Sequence, residues 1–246
     1  NHEPITMLTC YDYPTAYFQE QAGIDMILVG DSLGMTILGY ESTLPVTMDD
    51  MIRHAQAVRR GSPNAWLIGE MPYMSYQPSV ETAIRTAGRF MAEAGSGIPA
   101  MGHLGLTPQS VSALGGFRLQ GKGAQQARKI IEDARALEEA GAFAILLELV
   151  PDRVCQLITE RARNCFIISL GSGPHAHGQL LIYHDAFGLY PRFKPRMAKV
   201  FADAGKIIQQ GLHQYVKEVT ERTFPQPENW FGMPDEEYAE LLKLLA

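Results

Sequence analysis

Three carboxylates stand at the ends of apolar runs in this sequence. Asp31 follows Asp25-Met26-Ile27-Leu28-Val29-Gly30, Glu70 follows Trp66-Leu67-Ile68-Gly69, and Glu148 follows Phe143 to Leu147. Like charges brought to one place repel, and a divalent cation is the usual reason for tolerating them. Two carboxylates that leave positions for water and substrate suit Mg2+, a hard, oxygen-loving ion. Asp31 and Glu70 are therefore candidate metal ligands. Glu148 leaves a run apolar enough to desolvate it, and desolvation raises a carboxylate's pKa and makes it a better base near neutral pH. The plainer alternative for Glu148 is an acid paired with a nearby Lys or Arg.

Other polar residues also follow apolar runs: Ser32, His103, Ser172, His184 and Asp185. His103 reads first as a core histidine held by hydrogen bonds, with metal ligand and substrate donor as its alternatives. Gly171-Ser172-Gly173 is too short to be a specific phosphate cradle and reads as a tight turn between strand and helix. Arg118, Lys122 and Arg128 flank the glycine-rich stretch from Gly115 to Gly123 and could meet an anionic substrate tail, although a solvated surface loop accounts for them better. Met71, Tyr73, Met74 and Tyr76 read as wall and core.

Short apolar runs alternating with longer amphipathic stretches place these residues, and this is the pattern of repeated βα units around a parallel sheet. Strands are expected over 5–9, 25–30, 66–69, 98–102, 143–147, 165–170 and 180–183. Helices are expected from Pro14 to Gly23, from the N-cap Thr47 to about Arg60, from Ser79 to Ala94 and from Ala127 to Ala140. The tail reads as two helices, from about Met197 to Glu221 and from Asp235 to Leu245. The expected fold is α/β, a (β/α)8 TIM barrel forming one domain over residues 1–246 with C-terminal helices. Active sites of such barrels lie where the C-terminal strand ends converge. Seven strands are legible where a closed barrel needs eight, and the gap falls between Ala94 and Ile98. There the chain runs straight from helix into strand, whereas a parallel crossover takes a dozen residues or more.

The net charge of −6 argues against nucleic acid as partner, since phosphate contacts call for clustered Lys and Arg. Cys10, Cys155 and Cys165 are odd in number and far apart, which argues against a disulfide framework or zinc site and suits a reducing cytoplasm. No apolar run reaches the length of a membrane span, and Asn1-His2-Glu3-Pro4 has neither the basic nor the apolar region of a signal peptide.

Several segments, in order and over nearly the whole chain, resemble ketopantoate hydroxymethyltransferases. They include Leu8-Thr9-Cys10-Tyr11-Asp12-Tyr13, Val29-Gly30-Asp31-Ser32-Leu33-Gly34-Met35, Ser42-Thr43-Leu44-Pro45-Val46-Thr47 and Gly102-His103-Leu104-Gly105-Leu106-Thr107-Pro108. Leu114-Gly115-Gly116-Phe117, Leu147-Glu148-Leu149-Val150-Pro151 and His184-Asp185-Ala186-Phe187-Gly188-Leu189 continue the match. The resemblance implies transfer of a hydroxymethyl group from 5,10-methylenetetrahydrofolate to the keto acid 3-methyl-2-oxobutanoate, giving 2-dehydropantoate in pantothenate biosynthesis. It also implies Mg2+, a cytoplasmic location and a large homo-oligomer, a decamer in well-known members.

Carried over residue by residue, the resemblance makes Asp31 a metal ligand, places Asp31 and Ser32 against the keto acid, and makes Glu148 the proton acceptor. Whether Glu148 takes the C3 proton of the keto acid or manages protons on the folate nitrogen stays open. Glu70 falls where the family has a second aspartate for metal and substrate. The extra methylene of Glu70-Met71-Pro72 could turn a direct ligand into a water-mediated one. The absent strand is where the family carries a Lys and a Glu, two residues apart, and no residue here inherits their roles. Two rivals follow: another Mg2+-dependent carbon–carbon lyase acting on an α-keto acid, and an impaired or non-catalytic barrel relative.

Overall fold

Burial alternates with a period of two along half-buried strands and is continuous along fully buried ones, and both patterns occur here. In the computed structural model, which describes residues 3–95, 100–110 and 118–246, strand β1 (Ile5–Thr9) leads into helix α1 (Tyr13–Gln21) and strand β2 (Met26–Val29). Helix α2 (Leu33–Thr36), helix α3 (Met48–Gly61), strand β3 (Trp66–Gly69) and helix α4 (Val80–Ala94) follow. Then come β4 (Met101–Gly105), α5 (Ala124–Glu139), β5 (Ala144–Glu148), α6 (Asp152–Arg161), β6 (Phe166–Leu170), β7 (Gly178–Leu181) and the short α7 (Tyr183–Ala186). The chain divides into two compact units, Asn1–Phe201 and Ala202–Ala246, and the second holds α8 (Ala204–Thr220) and α9 (Asp235–Leu244).

Local chemistry sets the helix starts. Asp12 caps α1 by accepting from the Thr15 amide at 2.8 Å, with Pro14 in the first turn. Thr47 and Asp50 form a reciprocal capping box on α3, and Ser79 caps α4, which ends on Gly95 at φ 62°.

All seven strands are parallel, in the order β3-β2-β1-β7-β6-β5-β4, so the first strand pairs with the last and the sheet curls. Curling is visible in the packing: Met7, Met26, Leu28, Leu146, Ile168, Leu170 and Leu180 form one interior cluster, against which Ile68 and Met101 also pack, so every strand contributes. The alternate residues of β2 and β5, such as Ile27, Val29, Ile145 and Leu147, face outward and pack with the surrounding helices. Each such fully buried side chain contributes about 1.5–3 kcal/mol.

Among the described residues, β3 and β4 end the sheet without pairing to each other. Side chains lie across the two ends of the space instead. At one end the ring of Trp66, the first residue of β3, stacks on Phe143, the residue before β5, with centroids 5.5 Å apart and planes 12° apart. At the other end Gln109 Nε2 donates to the Met71 carbonyl at 3.0 Å, while the Tyr76 hydroxyl donates to Gln109 Oε1 at 3.1 Å. A cavity of about 410 Å3 lies between these bridges.

Four features differ from the sequence reading. The structure has α6 where no element is expected between Pro151 and Arg161; its apolar positions Val154, Cys155 and Ile158 span little more than a turn, too short a period to stand out. The tail helix begins at Ala204 rather than Met197, because Asp203 caps it by accepting from the Lys206 amide. The last strand ends at Leu181 rather than Tyr183, and Tyr183 opens α7. β4 runs to Gly105, so His103 sits mid-strand rather than beyond its end. The expected strand start at Ile98-Pro99, the short junction after Gly95 and the motif Leu114-Gly115-Gly116-Phe117 lie outside the described residues.

Candidate active site

The period of two that buries the interior cluster also aims the site residues. Ile68 and Leu146 point into the barrel, so Glu70 and Glu148, two residues on, point the same way one layer nearer the C-terminal rim. Met101 points inward on β4, and His103 therefore does too. Asp31 and Ser32 come from the turn after β2, where Ser32 is the residue before α2. All these residues line one cavity of about 380 Å3, which Thr43, Asp185, Tyr190 and Arg196 also line.

Glu70 and Asp31 meet directly. Oε2 of Glu70 accepts the Asp31 amide at 2.8 Å. Gly30 permits this approach, since a Cβ there would lie 3.1 Å from the same oxygen and 3.2 Å from Ser32 Oγ. Ser32 Oγ is 2.7 Å from the Tyr11 hydroxyl. Asp31 is 1% exposed and its Oδ2 has no hydrogen-bond partner. Burial, and then the charge of Glu70, push the Asp31 carboxyl up to about 8.

His103 joins this acid pair to Glu148. Its Nε2 is 3.1 Å from Glu148 Oε2, and its Nδ1 is 3.8 Å from Glu70 Oε1. Burial alone would lower the imidazole's pKa, but the hydrogen bond to Glu148 and the neighbouring Glu70 carboxylate outweigh it and raise it to about 10. Glu148 is 7% exposed, and its pKa is raised by burial and partly pulled back by His103. The partner of Glu148 is thus a histidine, not the Lys or Arg of the plainer alternative.

Behind Glu148 the backbone is tightly fixed. Leu149 adopts φ 47°, a left-handed conformation costly for a residue with a side chain. Ser172 Oγ holds it from the far side, donating to the Leu147 carbonyl at 2.8 Å and accepting from the Val150 amide at 2.9 Å. Gly171-Ser172-Gly173 is therefore a structural turn. Gly105, at φ 92°, lets β4 pass close to the same place, since a Cβ there would lie 2.2 Å from the Glu148 carbonyl oxygen.

Asp185 is buried in the cavity wall, and desolvation pushes its carboxyl up to about 6. Arg128, weighed above for an anionic tail, instead pairs with Glu132 on the exposed face of α5. Met71 packs against the core, whereas Tyr73, Met74 and Tyr76 are exposed. All three cysteines are buried and free. Among the described residues, no helix is long and apolar enough to cross a membrane.

Thr43, Tyr190 and Arg196 line the cavity, and Tyr11 contacts its Ser32, without being singled out by sequence. Tyr11 stood inside a quoted motif, but its hydroxyl partner is 21 residues away, and Arg196 carries no local signal at all.

The acid pair suits a small divalent ion: Asp31 Oδ2 is buried and without a hydrogen-bond partner, and a second carboxylate adjoins it. Among the described residues no group of three or more His, Cys, Asp and Glu is arranged as a metal cage. Mg2+ does not require one, since it commonly takes one or two carboxylates and completes its shell with water and substrate.

The family profile described as ketopantoate hydroxymethyltransferase matches residues 1–96 and 94–227. A 3-methyl-2-oxobutanoate hydroxymethyltransferase of Carboxydothermus hydrogenoformans is 47% identical, over 95% of this chain and 92% of the relative. That of Geobacillus sp. is 46% identical over 98% and 93%. The Carboxydothermus alignment runs over 255 positions yet takes in only 95% of 246 residues, so roughly twenty positions of the relative have no counterpart here, more than a parallel crossover needs. Among solved structures, oxaloacetate acetylhydrolase in complex with oxalate superposes with a TM-score of 0.58 at 14% identity, covering 96% of this chain and 86% of that one. 2,3-Dimethylmalate lyase, a PEP mutase/isocitrate lyase superfamily member, superposes with a TM-score of 0.57 at 13% identity, covering 99% and 90%. At that identity these structures speak for the barrel fold, while the sequence match goes further: the chain belongs to the ketopantoate hydroxymethyltransferase family.

Proposed function

We propose that the chain converts 3-methyl-2-oxobutanoate, 5,10-methylenetetrahydrofolate and water into 2-dehydropantoate and tetrahydrofolate. The observation that carries this reading is the chain of contacts Asp31–Glu70–His103–Glu148 in one cavity at the C-terminal end of the strands. Asp31 and Glu70 would hold Mg2+, which supplies charge stabilisation at the keto oxygen and the carboxylate of the substrate. Ser32, fixed by Tyr11, offers a hydroxyl beside Asp31 for the keto acid.

Glu148 is the base in this reading. Water hydrolyses the folate methylene to formaldehyde and tetrahydrofolate, breaking both C–N bonds. Glu148 takes the proton from C3 of the keto acid, C3 adds to the formaldehyde carbon, and the alkoxide formed takes that proton back from Glu148. Burial makes Glu148 more basic than an exposed carboxylate, while the His103 imidazolium keeps it ionised until substrate arrives. Arg196, the one Lys or Arg lining the cavity among the described residues, places a positive charge where the anionic substrates enter. A cytoplasmic homo-oligomer accompanies the reading through the family resemblance alone.

A second reading is favoured by the open space between β3 and β4 and by the roughly twenty positions that the relatives carry beyond this chain. In it the barrel binds metal and keto acid but turns over poorly, because the family's Lys and Glu are absent. One assay separates the two readings. Purified protein is incubated with both substrates and Mg2+, and 2-dehydropantoate is followed by mass spectrometry. Product that disappears on chelation supports the transferase; metal-dependent keto-acid binding without product supports the impaired barrel.

A further inference from the structure

A parallel strand satisfies its backbone groups through neighbours on both sides, and an unpaired edge is a template for another strand. Among the described residues β3 and β4 are the two edges of the sheet, and a cavity lies between them, with the Trp66–Phe143 stack at one end and the Gln109–Met71 hydrogen bond at the other. The inner wall of that space carries Leu28 and Leu146, the outer wall is Ala87, Phe90 and Met91 of α4, and Met101 stands on one flank. The outer face is apolar, as beside a buried parallel strand, while His103 and Glu70 add polar groups on the inner face.

We propose that this slot binds one extended β-strand supplied by a separate polypeptide, running parallel to β3 and β4 and hydrogen-bonded to both. Only a strand can answer two facing ladders, because its backbone presents N–H and C=O groups alternately to either side. Its length is set by its neighbours, four residues in β3 and five in β4. Its outward side chains are apolar, and its inward ones meet His103 and Glu70. The family match points to a strand of this kind. The match breaks and restarts at residues 94–96, where α4 ends, and roughly twenty positions of the relatives have no counterpart in this chain, enough for one strand and its crossover.

The test uses the whole chain and a synthetic peptide bearing the segment that the Carboxydothermus hydrogenoformans relative carries at this break. Calorimetric titration is expected to give one-to-one binding, and thermal unfolding a Tm rise of about 5 °C or more at a hundredfold excess over Kd. Proline at the centre of the peptide's strand removes a ladder donor and should weaken binding at least about tenfold. Ala87→Trp, which fills the slot from the α4 side and leaves the carboxylates untouched, should weaken it similarly. Binding no tighter than that of a scrambled peptide would overturn the proposal, and so would binding indifferent to both the proline and Ala87→Trp. These readouts do not depend on turnover, so they stand whichever activity the barrel has.

Discussion

His103 Nε2 lies 3.1 Å from Glu148 Oε2, while the other nitrogen of the same ring faces Glu70 Oε1 at 3.8 Å. One ring therefore faces two acids. It pulls the Glu148 pKa down although burial raises it, and it offsets part of the charge that Glu70 places beside Asp31. Three carboxylates can in this way stand side by side in one cavity.

Removing His103 should act through Glu148. His103 pulls the Glu148 pKa down against burial, so in His103→Ala it rises, and less base is ionised at any given pH. The acidic limb of the kcat profile should move to higher pH, with KM for the keto acid changing much less. An unmoved limb would show that His103 does not tune the base.

Glu148→Gln keeps the size and hydrogen-bonding reach of the side chain and removes its basicity. Turnover should fall by about 10²- to 10⁴-fold while calorimetric keto-acid affinity stays within a few-fold. A variant that retains turnover would remove Glu148 from the chemistry.

Asp31→Asn removes the carboxylate whose Oδ2 has no partner in the protein. Millimolar Mg2+ should raise the Tm of the parent and leave that of the variant unchanged. An equal rise in both would place the ion elsewhere.

Much of the site was legible because polar residues directly after apolar runs mark C-terminal strand ends, which converge on one mouth of a barrel. Asp31, Glu70 and Glu148 could therefore be grouped without coordinates, and the structure brings them into one cavity. His103 was harder, since it comes before the end of β4 and reaches Glu148 only through the curl of the sheet, across 45 positions of chain. Ser172 looked like a turn residue and is one, but its bonds to both Leu147 and Val150 depend on the packing of neighbouring strands. The seven-strand count is likewise visible in sequence, whereas the bridges from Trp66 and Gln109 are not, because they join residues far apart in the chain.

Ser172→Ala should test that brace. It leaves a buried carbonyl and a buried amide without their partner, at a cost of about 1–3 kcal/mol. Thermal denaturation should show a Tm lower by several degrees, and kcat should fall as Leu149 loses its support. An unchanged Tm would mean that the turn holds itself.

Asp185 predicts a pH dependence of stability. Its folded-state pKa, about 6, lies above the ordinary value because burial disfavours the charge. The protonated form is thus favoured on folding, so this residue's relative stabilisation is full below about pH 4 and is lost as pH rises through about 6. Asp185→Asn should therefore be more stable than the parent at pH 7.5, by on the order of 1 kcal/mol after allowance for solvent screening, and the two should converge near pH 4. A gap that does not narrow on acidification would contradict this origin.

The most direct test of the account is exchange of the C3 proton of 3-methyl-2-oxobutanoate for deuterium, followed by NMR in D2O with protein and Mg2+ but without folate. The account predicts catalysed exchange by the parent chain, none above background with Glu148→Gln, and loss of exchange on chelation. No catalysed exchange by the parent, or exchange undiminished in Glu148→Gln, would contradict the claim that this cavity breaks that C–H bond with Glu148 as its base.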